Sequence, residues 1–139
     1  MAFLIKPAHV GISVPDIGLA LDWYQKVLGY NPISIRYHSE LETRIAFLEK
    51  DGFCIELFQH DQARALPEDR KYPNRDIITC GTKHLCFYTD SMDELKAHLD
   101  VCGVDMATDV FFMGPNKVLF IRDCAGNLLE FIQKGEAKL

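Results

Sequence analysis

An internal repeat is the feature that most constrains the fold of this 139-residue chain. The segments 52–59 and 126–133 share the pattern G-x-x-I/L-E-L/F-F/I-Q at an offset of 74 residues. The segments that precede them, 44–49 and 118–123, fall on the same offset. A chain that matches itself at a fixed offset predicts two copies of one structural unit.

Each copy has the pattern of a strand, a helix and three further strands. The first strands, 8–14 and 83–89, match at an offset of 75 residues with His second in each, and apolar residues recur at helical spacing after both. The candidate helix caps and stops are Asp16 and Gly29 in the first unit, and Asp90 or Ser91 and Gly103 in the second. The other predicted strands are 33–38, 43–49 and 52–59, then those near 104–112, 117–122 and 126–133.

The predicted fold is therefore α+β, with two tandem βαβββ modules that form half-sheets around a cleft and carry their helices on the outside. Residues 60–81 are rich in charge and contain two prolines, so we expect a structureless linker there, either functional or simply solvated. We expect a single domain over 1–139, with module one at about 5–60, the linker at about 61–81 and module two at about 82–134.

Composition excludes several classes of function. Fifteen Lys and Arg against twenty Asp and Glu give a net charge of -5, so we expect no nucleic-acid partner. No segment approaches the roughly 20 apolar residues of a membrane span, and the N-terminal apolar run is too short for a signal peptide, so we expect a cytoplasmic protein without a membrane partner. The five cysteines are odd in number and form no C-x-x-C, which favours reduced, mostly buried thiols.

Alternation along the strands places four ionisable residues on the faces that point away from the helices: His9, Glu56, His84 and Glu130. A carboxylate buried alone is very costly, and neither Glu strand contains a Lys or Arg. Two imidazoles and two carboxylates suit a divalent first-row metal ion. The other three histidines lack such a repeat and are predicted to lie at the surface: His38, His60 and His98.

Three motifs give the chain a clear resemblance. A first strand H-V-G-I-S-V-x-D-I, a helix ending W-Y-x-K-V-L-G, and a closing D-x-x-G-N-x-x-E-F resemble the vicinal oxygen chelate superfamily, which includes glyoxalase I, epimerases, dioxygenases and bleomycin resistance proteins. The resemblance covers nearly the whole chain. It implies an open metal site between the half-sheets, with one Ni, Zn, Co, Fe or Mn ion held by His9, Glu56, His84 and Glu130.

Within the superfamily, Glu56 favours a glyoxalase I-like enzyme, because the epimerases typically have Gln there and the dioxygenases and fosfomycin enzymes typically use three protein ligands. One departure is Ser13, where many bacterial glyoxalase I sequences carry an Arg that contacts glutathione. Whether a thiol cofactor is used therefore stays open.

The activity implied is a metal-dependent, lactoylglutathione lyase-like lyase or isomerase, which transfers a proton next to a carbonyl through a metal-stabilised enediolate. Glu130 is the expected base and Glu56 its catalytic partner. The substrate would be a small molecule with adjacent oxygens, and the chain would form a homodimer. The alternatives are an epimerase of methylmalonyl-CoA type and a non-enzymic metal- or small-molecule-binding protein.

Overall fold

The computed structural model describes residues 2–135. It forms two compact units, which meet in the sequence between Arg64 and Ala65, inside the segment expected to be a linker. Each unit contains one mixed sheet and one long helix, so the predicted α+β fold of two βαβββ modules is confirmed.

The first unit contains a four-stranded sheet in the order β1-β4-β3-β2, in which β1 and β4 are parallel and the other pairs antiparallel. Strands β1 and β4 therefore lie side by side although most of the unit separates them in sequence. The elements are β1 (His9–Ser13), α1 (Ile17–Leu28), β2 (Asn31–His38), β3 (Thr43–Lys50) and β4 (Phe53–His60).

Helix α1 begins and ends where its sequence predicts. The Asp16 side chain accepts a hydrogen bond from the backbone N–H of Leu19 at 3.0 Å, and Gly29 closes the helix in the left-handed conformation with φ 73°. One face of the helix is buried, and the β4 residues Ile55 and Leu57 are fully buried as well. This apolar layer leaves the opposite face of the sheet free to carry polar groups.

The second unit contains a five-stranded sheet with strand order β5-β9-β8-β6, and β7 also pairs with β8. Ser91, rather than Asp90, caps the long helix by accepting a hydrogen bond from the N–H of Glu94. The elements are α2 (Pro73–Asp76), β5 (Leu85–Tyr88), α3 (Met92–Val101), β6 (Asp105–Met106), β7 (Phe111–Met113), β8 (Asn116–Arg122) and β9 (Leu128–Gln133).

The strand predicted near 104–112 is in fact two short strands, β6 and β7. Between them, the N–H groups of Ala107 and Thr108 both donate to the carbonyl of Phe120, and the Thr108 hydroxyl accepts from the N–H of Phe120. Two residues thus oppose one, which is the signature of a bulge and interrupts the regular ladder.

The segment expected to be structureless is ordered. It contains a 3-10 turn at Glu68–Lys71 followed by helix α2. The carboxylate of Asp76 is almost fully buried and receives Arg70 Nε at 3.1 Å and Lys83 Nζ at 3.2 Å. A buried carboxylate held by two cations fixes the chain on both sides of it, so the prediction of a structureless linker is wrong for 68–76.

The repeat offset is also less uniform than the sequence suggested. Phe47 lies opposite Glu56 in the first sheet, and Phe120 lies opposite Glu130 in the second, so the strands that precede the repeated Glu strands correspond at 73 rather than 74 residues. The first hairpin closes with the two-residue turn 51–52, whereas the second closes with 123–127. A longer turn shifts the register of the strand before it.

The cysteines differ from expectation as well. Cys54 and Cys102 are half-buried and the other three are exposed, so the prediction of mostly buried thiols is wrong. None of the five, all within the described chain, forms a disulfide. Between residues 2 and 135, no helix has both the length and the apolar character that a membrane span requires.

Candidate metal centre

The first unit brings His9 and Glu56 together on neighbouring parallel strands. His9 Nε2 lies 2.8 Å from Glu56 Oε2, with the imidazole 39% exposed and the carboxylate 16% exposed. Glu56 lies directly opposite Gly11 in the register. A Cβ on Gly11 would approach the Phe58 ring to 2.9 Å, so only glycine fits this packed position without a shift.

The second unit repeats the arrangement with His84 and Glu130. His84 Nε2 lies 2.6 Å from Glu130 Oε2, with side-chain exposures of 25% and 12%. His84 immediately precedes β5, and Glu130 lies on β9, the parallel neighbour of β5. Both units therefore form the same pair: an imidazole at the start of the first strand and a carboxylate two positions further along the last strand.

Each imidazole also meets a phenylalanine ring edge-on. The centroids of His9 and Phe47 are 5.5 Å apart, those of His84 and Phe120 are 5.0 Å apart, and both interplanar angles are 89°. Such T-shaped contacts restrict the rotation of the imidazole and cover one side of it. Sequence reasoning missed these phenylalanines, although counting each hairpin register outward from its Glu would have found them.

The electrostatics of the pairs is unusual for part-buried carboxylates. Within residues 2–135, neither Glu56 nor Glu130 forms an ion pair with a Lys or Arg, and an imidazole is the salt-bridge partner in both cases. Partial burial raises the pKa of the neighbouring Cys86 thiol to about 11, and the negative charge of Glu130 raises it further in the same direction. The second unit thus has local negative potential next to its imidazole.

The four predicted site residues are brought together as two pairs, one in each unit. In the described part of the chain, no three His, Cys, Asp or Glu side chains are arranged so that they could hold a metal ion. A shared ion for His9, Glu56, His84 and Glu130 therefore remains a prediction. The three histidines expected at the surface take no part in either pair: His60 and His98 are exposed and His38 is half-buried.

Comparison with known sequences gives the family. Residues 8–120 match the model of the Glyoxalase/Bleomycin resistance protein/Dioxygenase superfamily. The chain is 29% identical over 124 residues to Glyoxylase I 4 of Arabidopsis thaliana, covering 88% of this chain and 67% of that protein. It is also 29% identical over 101 residues to the uncharacterized protein YaeR of Escherichia coli K12, covering 72% and 73% of the two chains.

Solved structures show the same fold. A glyoxylase/bleomycin resistance protein/dioxygenase domain from Frankia sp. EAN1pec superposes with a TM-score of 0.77 at 24% identity, over 99% of this chain and 96% of that one. A glyoxalase I mutant from Zea mays gives 0.73 at 18% identity, over 93% and 45%. The fosfomycin resistance protein FosX from Listeria monocytogenes, solved with Mn(II) and sulfate, gives 0.66 at 15% identity, over 98% and 97%.

The βαβββ units and their duplicated His–Glu pairs thus agree with a sequence match over most of the chain. The chain belongs to the glyoxalase/bleomycin resistance protein/dioxygenase superfamily.

Proposed function

We propose that this chain is a metal-dependent lyase or isomerase of glyoxalase I type, which moves a proton next to a carbonyl of a small substrate with adjacent oxygens. The observation that carries the proposal is the duplicated pair of a His and a part-buried Glu that has no Lys or Arg partner. Retaining a carboxylate in such surroundings costs free energy that a structural role does not require.

The donor set fits a divalent ion. Two imidazole nitrogens and two carboxylate oxygens are ligands that first-row metals accept, and two carboxylates balance a 2+ charge. The residues that would hold the ion are His9, Glu56, His84 and Glu130. When bound, the ion acts as a Lewis acid that polarises a substrate carbonyl and makes the adjacent C–H more acidic.

The two carboxylates have different proposed tasks. Glu130 is the less exposed of the two, at 12% against 16%, and lies 2.6 Å from its imidazole. We assign to Glu130 the removal of the proton from the substrate carbon, and to Glu56 its return on the other side or the retention of the ligand role. A base must be held within hydrogen-bond distance of the proton it takes, and β9 provides a rigid support for Glu130.

The surrounding side chains keep the chemistry in place. Phe47 and Phe120 hold His9 and His84 in fixed orientations, so the imidazoles serve as ligands rather than as mobile proton carriers. The same rings restrict the access of water to a reactive intermediate.

The comparisons support this class of activity without identifying the reaction. The Arabidopsis relative and the maize protein carry the name glyoxylase I or glyoxalase I, and the Listeria protein is solved with Mn(II). The match to the maize protein spans 45% of that chain, so the whole protein's activity is not transferred by it. Glu at position 56 is the feature of this chain that favours the glyoxalase reaction over an epimerase.

The experiment is hydrogen exchange on a trial substrate. An α-hydroxy or α-keto compound, such as the hemithioacetal of methylglyoxal with a thiol, is incubated in heavy water with the metal-loaded protein. We expect deuterium to enter the carbon next to the carbonyl, and Glu130→Gln to slow this by roughly two to four orders of magnitude. Exchange at the uncatalysed rate across a panel of such compounds, with metal tightly bound, would instead support a non-enzymic metal-binding protein.

A further inference from the structure

The first unit contains a cavity of about 360 Å³ at the end of its sheet where β1 and β4 finish and β3 begins. A volume of this size suits a small organic group. The lining residues that bear on its chemistry are Ser13, Thr43, Phe58, His60, Gln62 and Arg64.

The cavity lies on the sheet face that carries the His9–Glu56 pair. Phe58 and His60 are two and four positions beyond Glu56 on β4, and residues two apart on a strand point to the same face. Ser13 pairs with Phe58 in the β1–β4 register, so it shares that face as well. At roughly 3.3 Å per residue, the cavity begins about 7 Å from Glu56 and ends about 13 Å from it.

A comparison of the two units indicates why the cavity exists. Ser13 pairs with Phe58 in the first sheet, and Tyr88 pairs with Ile132 at the equivalent place in the second. The second unit therefore has a large ring at this position, stacked under Lys134 Nζ at 4.2 Å from the centroid. The small Ser13 side chain leaves open the volume that tyrosine occupies in the other unit.

The cavity is equipped to bind an anion. Within residues 2–135, Arg64 has no hydrogen-bond or ion-pair partner, so its guanidinium is available to a ligand. His60 Nδ1 accepts a hydrogen bond from the N–H of Gln62 at 3.0 Å, which directs the other ring nitrogen to act as a donor. The Ser13 hydroxyl adds a third donor.

The charge of the cavity sets the class of anion. Arg64 contributes one positive charge, whereas the Glu42 carboxylate lies 3.9 Å from His60 Nε2 and opposes any excess of negative charge. A single guanidinium with neutral donors matches a carboxylate, which it can bind through two parallel hydrogen bonds. A phosphate dianion would be less well balanced.

We propose that this cavity binds a carboxylate of the substrate, with Arg64 as its main contact and Ser13 providing the space. The inference rests on the proposed function for its second half: the substrate then has adjacent oxygens at one end and a carboxylate about 7–13 Å away. The carboxylate subsite itself does not depend on the metal.

The test is a nuclear magnetic resonance titration of the full chain after treatment with a chelator. Pentanoate is the probe, pentanamide is its uncharged counterpart, and inorganic phosphate is the competing anion. We expect pentanoate to shift the amide signals of Ser13 and Gln62 with an affinity in about the millimolar range, and pentanamide to leave them unchanged. Arg64→Gln should weaken the binding of pentanoate by about tenfold or more.

Arg44→Gln is the matched control, because Arg44 pairs with Gln59, whose side chain points to α1, and so lies on the opposite face of the sheet. Ser13→Tyr, which copies the second unit, should block the cavity without removing a charge. Spectra of each variant show directly whether it is folded.

Equal shifts with pentanamide, an unchanged affinity in Arg64→Gln, or tighter binding of phosphate than of pentanoate would each overturn the proposal. So would an absence of shifts up to about 100 mM pentanoate, since that excludes a useful affinity. Because no metal is present in this titration, its failure is distinguishable from a failure of the proposed metal chemistry.

Discussion

Gln59 Oε1 accepts a hydrogen bond from the backbone N–H of Ile17 at 2.7 Å, and so joins the strand that carries Glu56 to the first turn of helix α1. Gln133 does the same for Met92 in the second unit, also at 2.7 Å. The final Gln of the repeated motif thus satisfies a donor that the helix cannot satisfy itself. The motif couples the position of each Glu strand to its helix.

Gln59→Ala and Gln133→Ala should each lower the free energy of unfolding by about 1–2 kcal/mol, because each leaves a part-buried N–H at a helix start without its acceptor. Urea unfolding measures the change. Gln25→Ala, on the exposed side of α1, is the control and should change stability by less than about 0.5 kcal/mol. Equal effects at all three positions would show that the hydrogen bonds have no special role.

The Cys86 thiol should report on the charge of Glu130. Its pKa is raised to about 11 by partial burial and then by the Glu130 carboxylate, so little thiolate is present at pH 8 and alkylation should accelerate as the pH rises toward 11. Glu130→Gln removes a negative charge that disfavours the thiolate, and should therefore lower the pKa and speed alkylation of Cys86 by iodoacetamide. Peptide mass spectrometry measures this at Cys86. An unchanged rate in Glu130→Gln would contradict the electrostatic coupling.

The two carboxylates should respond differently to the same substitution. Glu130→Gln keeps an oxygen that can bind metal but cannot accept a proton at neutral pH, so turnover should fall by roughly two to four orders of magnitude while metal is retained. Glu56→Gln should be milder, since related epimerases typically have Gln there. Steady-state rates and metal content are measured on the same preparations. A larger loss of turnover in Glu56→Gln would reverse the assignment of the base.

The chain should form a homodimer, because symmetric pairs are the commonest assembly of such chains and strand β2 leaves an exposed sheet edge in the first unit. Light scattering at micromolar concentration should give about twice the chain mass of 15.8 kDa. A mass equal to one chain would contradict this expectation.

The positions of the His and Glu residues could be predicted because strand alternation is a local property. His9 and Glu56 were assigned to one face by counting in twos, and their 2.8 Å contact agrees with that assignment. The helix limits were equally predictable, since Asp16 and Gly29 act within one turn of the chain.

The remaining features depend on interactions distant in sequence or on turn length. Phe120 was placed one position out of register because the second hairpin turn is longer than the first. The helical turns at 68–76 depend on a buried Asp76 whose partner Lys83 comes seven residues later. Neither the register shift nor the buried ion pair leaves a periodic signal that sequence alone would reveal.

The central claim is that His9, Glu56, His84 and Glu130 hold one metal ion, and metal content tests it most directly. Wild type, the His9→Ala/His84→Ala variant and the control His38→Ala/His98→Ala are dialysed against a chelator, reloaded with a divalent metal, and analysed for bound metal. We expect wild type and the control to retain the metal and the His9→Ala/His84→Ala variant to lose it, because each substitution removes a ligand outright. Equal metal content in all three proteins would show that His9 and His84 are ordinary strand histidines and that the metal assignment is wrong.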